Sequence, residues 1–268
     1  MSYWTDKVVM ITGASSGLGL HLARAWAEQG AKLVMVARDA ARLQAAAQSI
    51  KVKGLQVNLI SCDITNDADV EKMMQDLFFP RLDVLVNCAG ASTRGTIAET
   101  KLADFQRNWD LNVLALVRCT QAALPLLRES RGHIVNIGSL AGKFGARYVG
   151  PYSATKHAVT GLSQQLRLEL EPAGVHVLHV CPGPIRDDRV ASRYDSETME
   201  KLPVAAHQPG AGAKIKGIDP VWLAQKILIA TQRRQRELIV PWKANILMLA
   251  GTISTRLGDW LLKKMTGG

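Results

Sequence analysis

The chain has few of the groups that build metal centres, disulfide frameworks or membrane spans. Its four cysteines, Cys62, Cys88, Cys119 and Cys181, are scattered, and no pair has the close spacing of a zinc or redox motif. Reduced, buried thiols and an intracellular setting are expected. His133, His157, His176 and His179 show no metal-ligand arrangement, so no metal is expected. No stretch reaches the roughly 18 uninterrupted apolar residues of a membrane span. The first residues run into an apolar strand without the pattern of a secretory leader. These absences predict a cytoplasmic protein. Repeats, low-complexity tracts and linkers are also missing, so residues 1–268 read as one domain.

Acidic residues are in short supply as well, giving a net charge of +10. A basic chain can bind nucleic acid, but no recognition helix, aromatic-rich sheet or zinc spacing is present, and that class is set aside. The surplus is local: residues 211–268 hold ten Lys or Arg against three Asp or Glu.

What is present is a regular alternation. Apolar, strand-like runs fall at 8–11, 32–36, 56–61, 84–87, 133–137, 176–181 and 237–240. Helical patterns fall between them at 17–29, 40–52, 66–78, 101–127, 152–171 and 220–232. Such βαβ alternation predicts an α/β fold: a single, doubly wound Rossmann domain with a seven-stranded parallel sheet and helices on both faces. Ligand is then expected across the carboxyl ends of the strands, at the switch point. Asp39 and Asn66 are placed to cap helices, and Gly174 to end one. The long polar stretch 183–218, with its prolines and glycines, reads as a binding loop or lid.

Between the first strand and first helix stands Thr12-Gly13-Ala14-Ser15-Ser16-Gly17-Leu18-Gly19. Strand, glycine turn, helix is the setting in which such a motif holds a dinucleotide. Glycine permits a tight turn and close approach to pyrophosphate, and the helix start offers free N–H groups. At the end of the second strand comes Ala37-Arg38, where an acidic residue would hydrogen-bond the ribose of NAD. A guanidinium there can pair with a 2′-phosphate and stack on adenine, which predicts NADP(H). Asp63 and Ile64 follow the third strand, where Asp63 can also cap a turn.

Tyr152 and Lys156 lie four residues apart in a helical segment, with Ser139 thirteen positions upstream. Positions i and i+4 share a helix face. A nearby ammonium favours phenolate and lowers a phenol pKa from its ordinary value of about 10. A tuned Tyr can exchange a proton with a substrate hydroxyl or carbonyl. Asn112, alone in an apolar helix, reads as a buried, satisfied amide.

Together these elements resemble the short-chain dehydrogenase/reductase family over nearly the whole chain. Thr12–Gly19 is similar to its cofactor turn. Asn87-Cys88-Ala89-Gly90 is similar to its Asn-Asn-Ala-Gly element, with Cys88 in place of the second Asn. Pro182-Gly183-Pro184-Ile185 is similar to its Pro-Gly segment. Asn112, Ser139, Tyr152 and Lys156 match its catalytic tetrad, and Gly138 stands where many members carry Ser.

The resemblance implies cofactor contacts from Gly13, Ser15, Ser16, Gly17, Leu18, Gly19, Arg38, Asp63, Ile64, Asn87, Ala89, Gly90, Tyr152, Lys156, Pro182, Gly183 and Ile185. It implies that Ser139 holds the substrate oxygen, that Tyr152 is the general acid or base, that Lys156 tunes Tyr152 and binds ribose, and that Asn112 holds a water for a proton relay. It also implies a homodimer or homotetramer built on helices 101–127 and 152–171. The expected activity is NADP(H)-dependent interconversion of a carbonyl and an alcohol on an apolar, steroid-, retinoid- or lipid-like substrate. A β-ketoacyl carrier-protein reductase is the enzymatic alternative. A non-catalytic NADP-sensing or scaffold protein is the alternative of another class.

The C-terminal segment 242–265 stands apart. Ile253, Leu257, Trp260, Leu261 and Met265 follow helical spacing as one apolar stripe, with Arg256, Lys263 and Lys264 off it. Packing against the domain or a sister subunit is one reading, and a helix lying on an anionic membrane is the other. This tail, with Arg233-Arg234-Gln235-Arg236 before it, resembles the 11β-hydroxysteroid dehydrogenase branch of the family.

Overall fold

A computed structural model describes residues 1–145, 147–186, 202 and 217–266 of the chain. Seven strands form one sheet: β1 (Val8–Thr12), β2 (Lys32–Ala37), β3 (Val57–Ser61), β4 (Val84–Asn87), β5 (His133–Ile137), β6 (His176–Pro182) and β7 (Glu237–Val240). Every pairing is parallel, in the order β3-β2-β1-β4-β5-β6-β7. The order reverses between β1 and β4, so the two halves wind in opposite directions from that seam.

The strands are apolar on both faces because both are covered. In β1, Val9 and Ile11 face one core, with Leu22 and Trp26 of α1 (Gly17–Glu28) and Leu223 and Ile227 of the helix before β7. Val8 and Met10 face the other, with Cys119, Ala123 and Leu127. Those three belong to a continuous helical stretch, Leu102–Ser130. It is built from α4 (Leu102–Trp109), a π turn at Asp110–Leu114 and α5 (Ala115–Ser130). One window of it is apolar enough to cross a membrane, with a mean hydropathy of 1.2, but its buried face makes it a core helix here.

The local signals are used as expected. Asp39 Oδ1 accepts from Arg42 N at 2.9 Å to start α2 (Ala40–Gln48). Asn66 Oδ1 accepts from Asp69 N at 3.1 Å to start α3 (Asp67–Gln75). Gly174, at φ +74°, ends the turn that follows α6 (Tyr152–Leu170). Most of the expected lid lies outside the described residues. Its two ends are clasped: Ile185 bridges Ile218, and Arg186 pairs with Asp219 at 2.6 Å, just before α7 (Pro220–Gln232).

The tail differs from its reading as one striped helix. It is a helical hairpin, α8 (Ala244–Ile253) and α9 (Thr255–Thr266), broken at Ser254, which is extended. The arms meet at glycines: a Cβ on Gly258 would lie 2.7 Å from Gly251 Cα. Ile253 and Leu257 therefore sit on different helices.

Candidate active site

The glycine turn after β1 and the turn after β4 meet at the seam. Gly13, at φ +70°, has its Cα so close to the second turn that a Cβ would lie 2.9 Å from Ala89 Cα. Gly19 is equally confined, since a Cβ there would lie 2.3 Å from Gly13 O. Thr12 Oγ1 accepts from Cys88 N at 3.1 Å and Ala89 N at 3.2 Å, which ties the two turns together. Ser16 precedes α1 in extended conformation, and its side chain makes no capping hydrogen bond. Leu18 and Ile64 pack into the two cores. At the outer ends of β2 and β3, Arg38 is exposed beside Asp63. Burial works to raise the Asp63 carboxyl, but Thr65's hydroxyl and amide and the Arg38 charge carry it below the usual range.

The second group of residues converges from β5, α6 and the π turn. Ser139 leaves β5 and opens a 3₁₀ turn, Leu140–Gly142, where its Oγ accepts from Ala141 N at 3.1 Å. α6 is fastened to that turn. Ser153 Oγ donates to Ala141 O at 2.6 Å, Thr160 Oγ1 donates to Gly142 O at 3.0 Å, and a Cβ on Gly142 would lie 2.4 Å from Lys156 O. Tyr152 is in the first turn of α6, and Lys156 Nζ lies 5.6 Å from its ring centre. Lys156 is only 5% exposed and donates to Ile137 O at 2.8 Å. Burial pulls its pKa from 10.5 down to about 8, against an opposing effect of Cys88 and Cys181. Burial also pushes the Cys88 thiol up to about 12, which leaves it inert. Gly90 closes the gap, for a Cβ there would lie 3.0 Å from Asn112 Oδ1 and 3.7 Å from Lys156 Nζ.

The structure therefore gathers Asn112, Ser139, Tyr152 and Lys156 around the carboxyl ends of β4 and β5. Two expectations change in detail. Both N–H groups of Asn112 are committed, to Ala91 O at 2.8 Å and Thr155 Oγ1 at 3.1 Å, while its Oδ1 accepts from Ala91 N at 2.9 Å. Only one acceptor lone pair is left for a water. Asn87 turns its amide inward, donating to Asn136 Oδ1 at 2.9 Å and Thr120 Oγ1 at 3.1 Å. Asn136 in turn donates to Ser163 Oγ at 3.0 Å, fixing β4, β5 and α6 to one another. Asn136 and Ser163 were not anticipated. Their signal was the repeated Val-Asn closing two neighbouring apolar strands, which pair Asn87 with Asn136. Pro182 ends β6, and Gly183 N donates to Val240 O at 2.7 Å, so that segment borders the same strand ends.

A parallel sheet with a glycine turn at its switch point and Ser, Tyr and Lys at its carboxyl edge defines a dinucleotide-dependent oxidoreductase. Residues 7–198 match the family model described as short chain dehydrogenase, and the chain belongs to that family. It is 34% identical over 245 residues to the ketoacyl reductase HetN of Nostoc sp., covering 90% of this chain and 80% of that protein. It is 33% identical over 244 residues to dehydrogenase/reductase SDR family member 7B of Danio rerio, covering 88% and 77%. Among solved structures, a Burkholderia phymatum short-chain dehydrogenase/reductase in complex with NAD superposes with TM-score 0.83 at 23% identity, covering 96% of each chain. A Sphingobium yanoikuyae short-chain dehydrogenase in complex with NADPH superposes with TM-score 0.75 at 32% identity, covering 94% of this chain and 96% of that one. A nicotinamide-dependent oxidoreductase is thereby supported.

Proposed function

We propose that this protein is an NADP(H)-dependent reductase that interconverts an apolar carbonyl and its alcohol. The observation that carries this reading is that Ser139, Tyr152 and Lys156 all belong to one turn-and-helix unit, fastened by Ser153 and Thr160, with Lys156 Nζ beside the Tyr152 ring. Ser139 Oγ already accepts from Ala141 N, so its own proton remains to donate to a substrate oxygen. Tyr152 supplies that oxygen with a proton during reduction and removes it during oxidation. Lys156, still mostly protonated at neutral pH, favours the phenolate and offers N–H donors to ribose hydroxyls. Asn112 acts through placement, holding Ala91 and with it the turn whose Gly90 lies next to Lys156. Hydride transfer is the chemistry that a bound nicotinamide supplies.

The turn 12–19 suits the pyrophosphate, since the start of α1 has no side-chain cap on its N–H groups. Arg38 would read the 2′-phosphate, and Asp63 the adenine. A depression bounded by Gly95, Thr96, Ile97, Arg147, Tyr148 and Gly150, in the segment that leads into Tyr152, is a candidate for the substrate side. The exposed apolar hairpin 244–266 supports a lipophilic substrate met at an anionic membrane. Exposed Leu102, Trp109 and Leu168 on α4 and α6 support assembly through those helices. One comparison favours a second reading: HetN is called a ketoacyl reductase, and an acyl-thioester ketone would use the same Ser139 and Tyr152 chemistry.

Tyr152→Phe tests the reading. The ring still packs but has no exchangeable proton, so turnover of NADPH with a panel of carbonyls should fall about 10²–10⁴-fold, while NADPH binding followed by fluorescence is kept. Turnover within a few-fold of wild type would remove Tyr152 from the reaction.

A further inference from the structure

Gly138 separates β5 from Ser139 and has no side chain, yet its side-chain space is filled. A Cβ at 138 would lie 2.3 Å from His179 Nε2. His179 is 1% exposed, on β6, beside Asn136 on one flank and Glu237 of β7 on the other. Its Nδ1 is 3.1 Å from Glu237 Oε1. The same carboxylate oxygen is 2.7 Å from Lys143 Nζ, and Lys143 closes the turn that Ser139 opens. Hydrogen bonding to His179, then the Lys143 contact, pulls Glu237 down to about 2, so it is a carboxylate. Burial lowers His179, which keeps the ring neutral. Nδ1–H then donates to Glu237, and Nε2 faces the Gly138 backbone. Cys181 Sγ lies 3.4 Å from His179 Nδ1. Those three ligand-type groups have metal-like spacing, but the Lys143 ammonium already supplies the positive charge that Glu237 would offer a metal.

We propose that His179, locked by Glu237 and Lys143, is a positioning residue that sets the Ser139 hydroxyl. The ring fills the side-chain space of Gly138, one residue before Ser139, while Glu237 holds the side chain of Lys143, four residues after it. Both ends of the Ser139 turn are thus fixed to β6 and β7. The inference rests on the reading of Ser139 as the group that holds the substrate oxygen.

A double-mutant cycle separates the two claims. Ser139→Ala should lower kcat at saturating NADPH at least 10-fold; full activity would overturn the reading of Ser139 itself. His179→Ala and Lys143→Met should each lower kcat about 10-fold and leave the NADPH dissociation constant within twofold. Added to Ser139→Ala, either change should cost less than twofold more, because a positioning residue acts only through the group it positions. An equal loss in both backgrounds would mean a general structural role and overturn the proposal, as would wild-type kcat in both single variants. Steric coupling gives an independent readout. Gly138→Ser alone should depress kcat well below the level of His179→Ala by colliding with His179, and Gly138→Ser with His179→Ala should recover it to about the level of His179→Ala alone. Equal activity of Gly138→Ser with and without His179 would also overturn the proposal. Lys143 stands at the edge of the core, so Lys143→Met keeps the test available if His179→Ala does not fold.

Discussion

Burying an ammonium costs free energy, and Lys156 carries that cost for its place beside Tyr152. Its folded pKa of about 8 lies below the 10.5 of an unfolded lysine. The unfolded chain therefore holds the proton more tightly, and this residue's contribution to stability rises with pH between about 8 and 10.5. At pH 7 both states are charged, and the folded one bears the desolvation. Lys156→Met should therefore raise the stability of the cofactor-free protein by about 1–2 kcal/mol, after allowing for the lost bond to Ile137 O. The same change should lower kcat by at least about 10²-fold. Thermal melts at pH 7 with parallel turnover assays check both; a lower melting temperature would show that the Ile137 bond outweighs desolvation. Arg38 poses the opposite case, an exposed charge with little structural duty. Arg38→Asp would put a carboxylate where the 2′-phosphate is expected and should shift the kcat/KM preference from NADPH toward NADH with little change in stability. An unchanged ratio would mean that Arg38 does not read the phosphate.

Among the elements, β5 and β6 carry a titratable pair at their amino-terminal ends, the opposite end of the strands from Ser139. His133 Nδ1 and His176 Nδ1 are 3.3 Å apart, and Tyr3 Oη is 3.4 Å from His133 Nε2. A shared N–H···N bond needs at least one neutral ring, because two imidazoliums would face each other with donors. Burial first, then the positive His176, Arg234 and Lys7, lowers His133 from 6.5 to about 3; burial and Arg234 lower His176 to about 4. The unfolded chain takes up these protons near pH 6.5 and the folded chain does not. Stability present above that pH is therefore lost as pH falls from about 6.5 toward 4. The slope should be about 1.4 kcal/mol per pH unit for each histidine. Urea unfolding between pH 7 and 5 should show it, and His176→Gln should remove about half of it; an unaltered slope in that variant would point to other groups. Element by element, the strands were legible because a strand buried on both faces is an unbroken apolar run. Helix ends were less so. α2 stops at Gln48 and α3 at Gln75, short of the expected 52 and 78, because apolar residues past the last helical turn, Ile50 and Val52 in one case and Leu77 and Phe79 in the other, continue to cover the two cores. The π turn around Asn112 left no trace, since one extra residue in a helix barely disturbs its apolar period. The glycine turn and the Tyr152–Lys156 spacing could be read because local chain geometry sets them. The His179–Glu237 pair could not, because it depends on the register of two strands 58 residues apart.

At the scale of the whole molecule, the hairpin joins the carboxyl edge of the sheet to an exposed apolar surface. Ala244, at the start of α8, packs with Leu140 of the Ser139 turn and Cys181 of β6. From that anchor Trp242, Ile246, Leu249, Ile253, Leu257 and Trp260 all point to solvent. Lys243, Arg256, Lys263 and Lys264 are exposed among them, against Asp259 alone. Apolar area with a local positive excess matches an anionic bilayer, which adds about 1 kcal/mol of attraction per basic residue near its surface. Because an isolated stripe more often faces protein than lipid, the test must separate the two. The intact protein should co-sediment with phosphatidylserine vesicles at low salt and be released as salt screens the attraction. Removal of residues 254–268 should abolish binding, and so should Gly258→Leu, which forces the arms of the hairpin apart at Gly251. Both should keep turnover of a small soluble carbonyl within a few-fold, since Ala244 and the Ser139 turn are untouched. Sedimentation velocity of the same samples reads the oligomeric state. If the truncated chain falls from dimer to monomer while the intact one ignores vesicles, the hairpin is a subunit contact and the membrane reading is lost. If the oligomer persists and only vesicle binding disappears, the hairpin brings the Ser139 edge of the sheet to the surface in which a lipophilic substrate is dissolved.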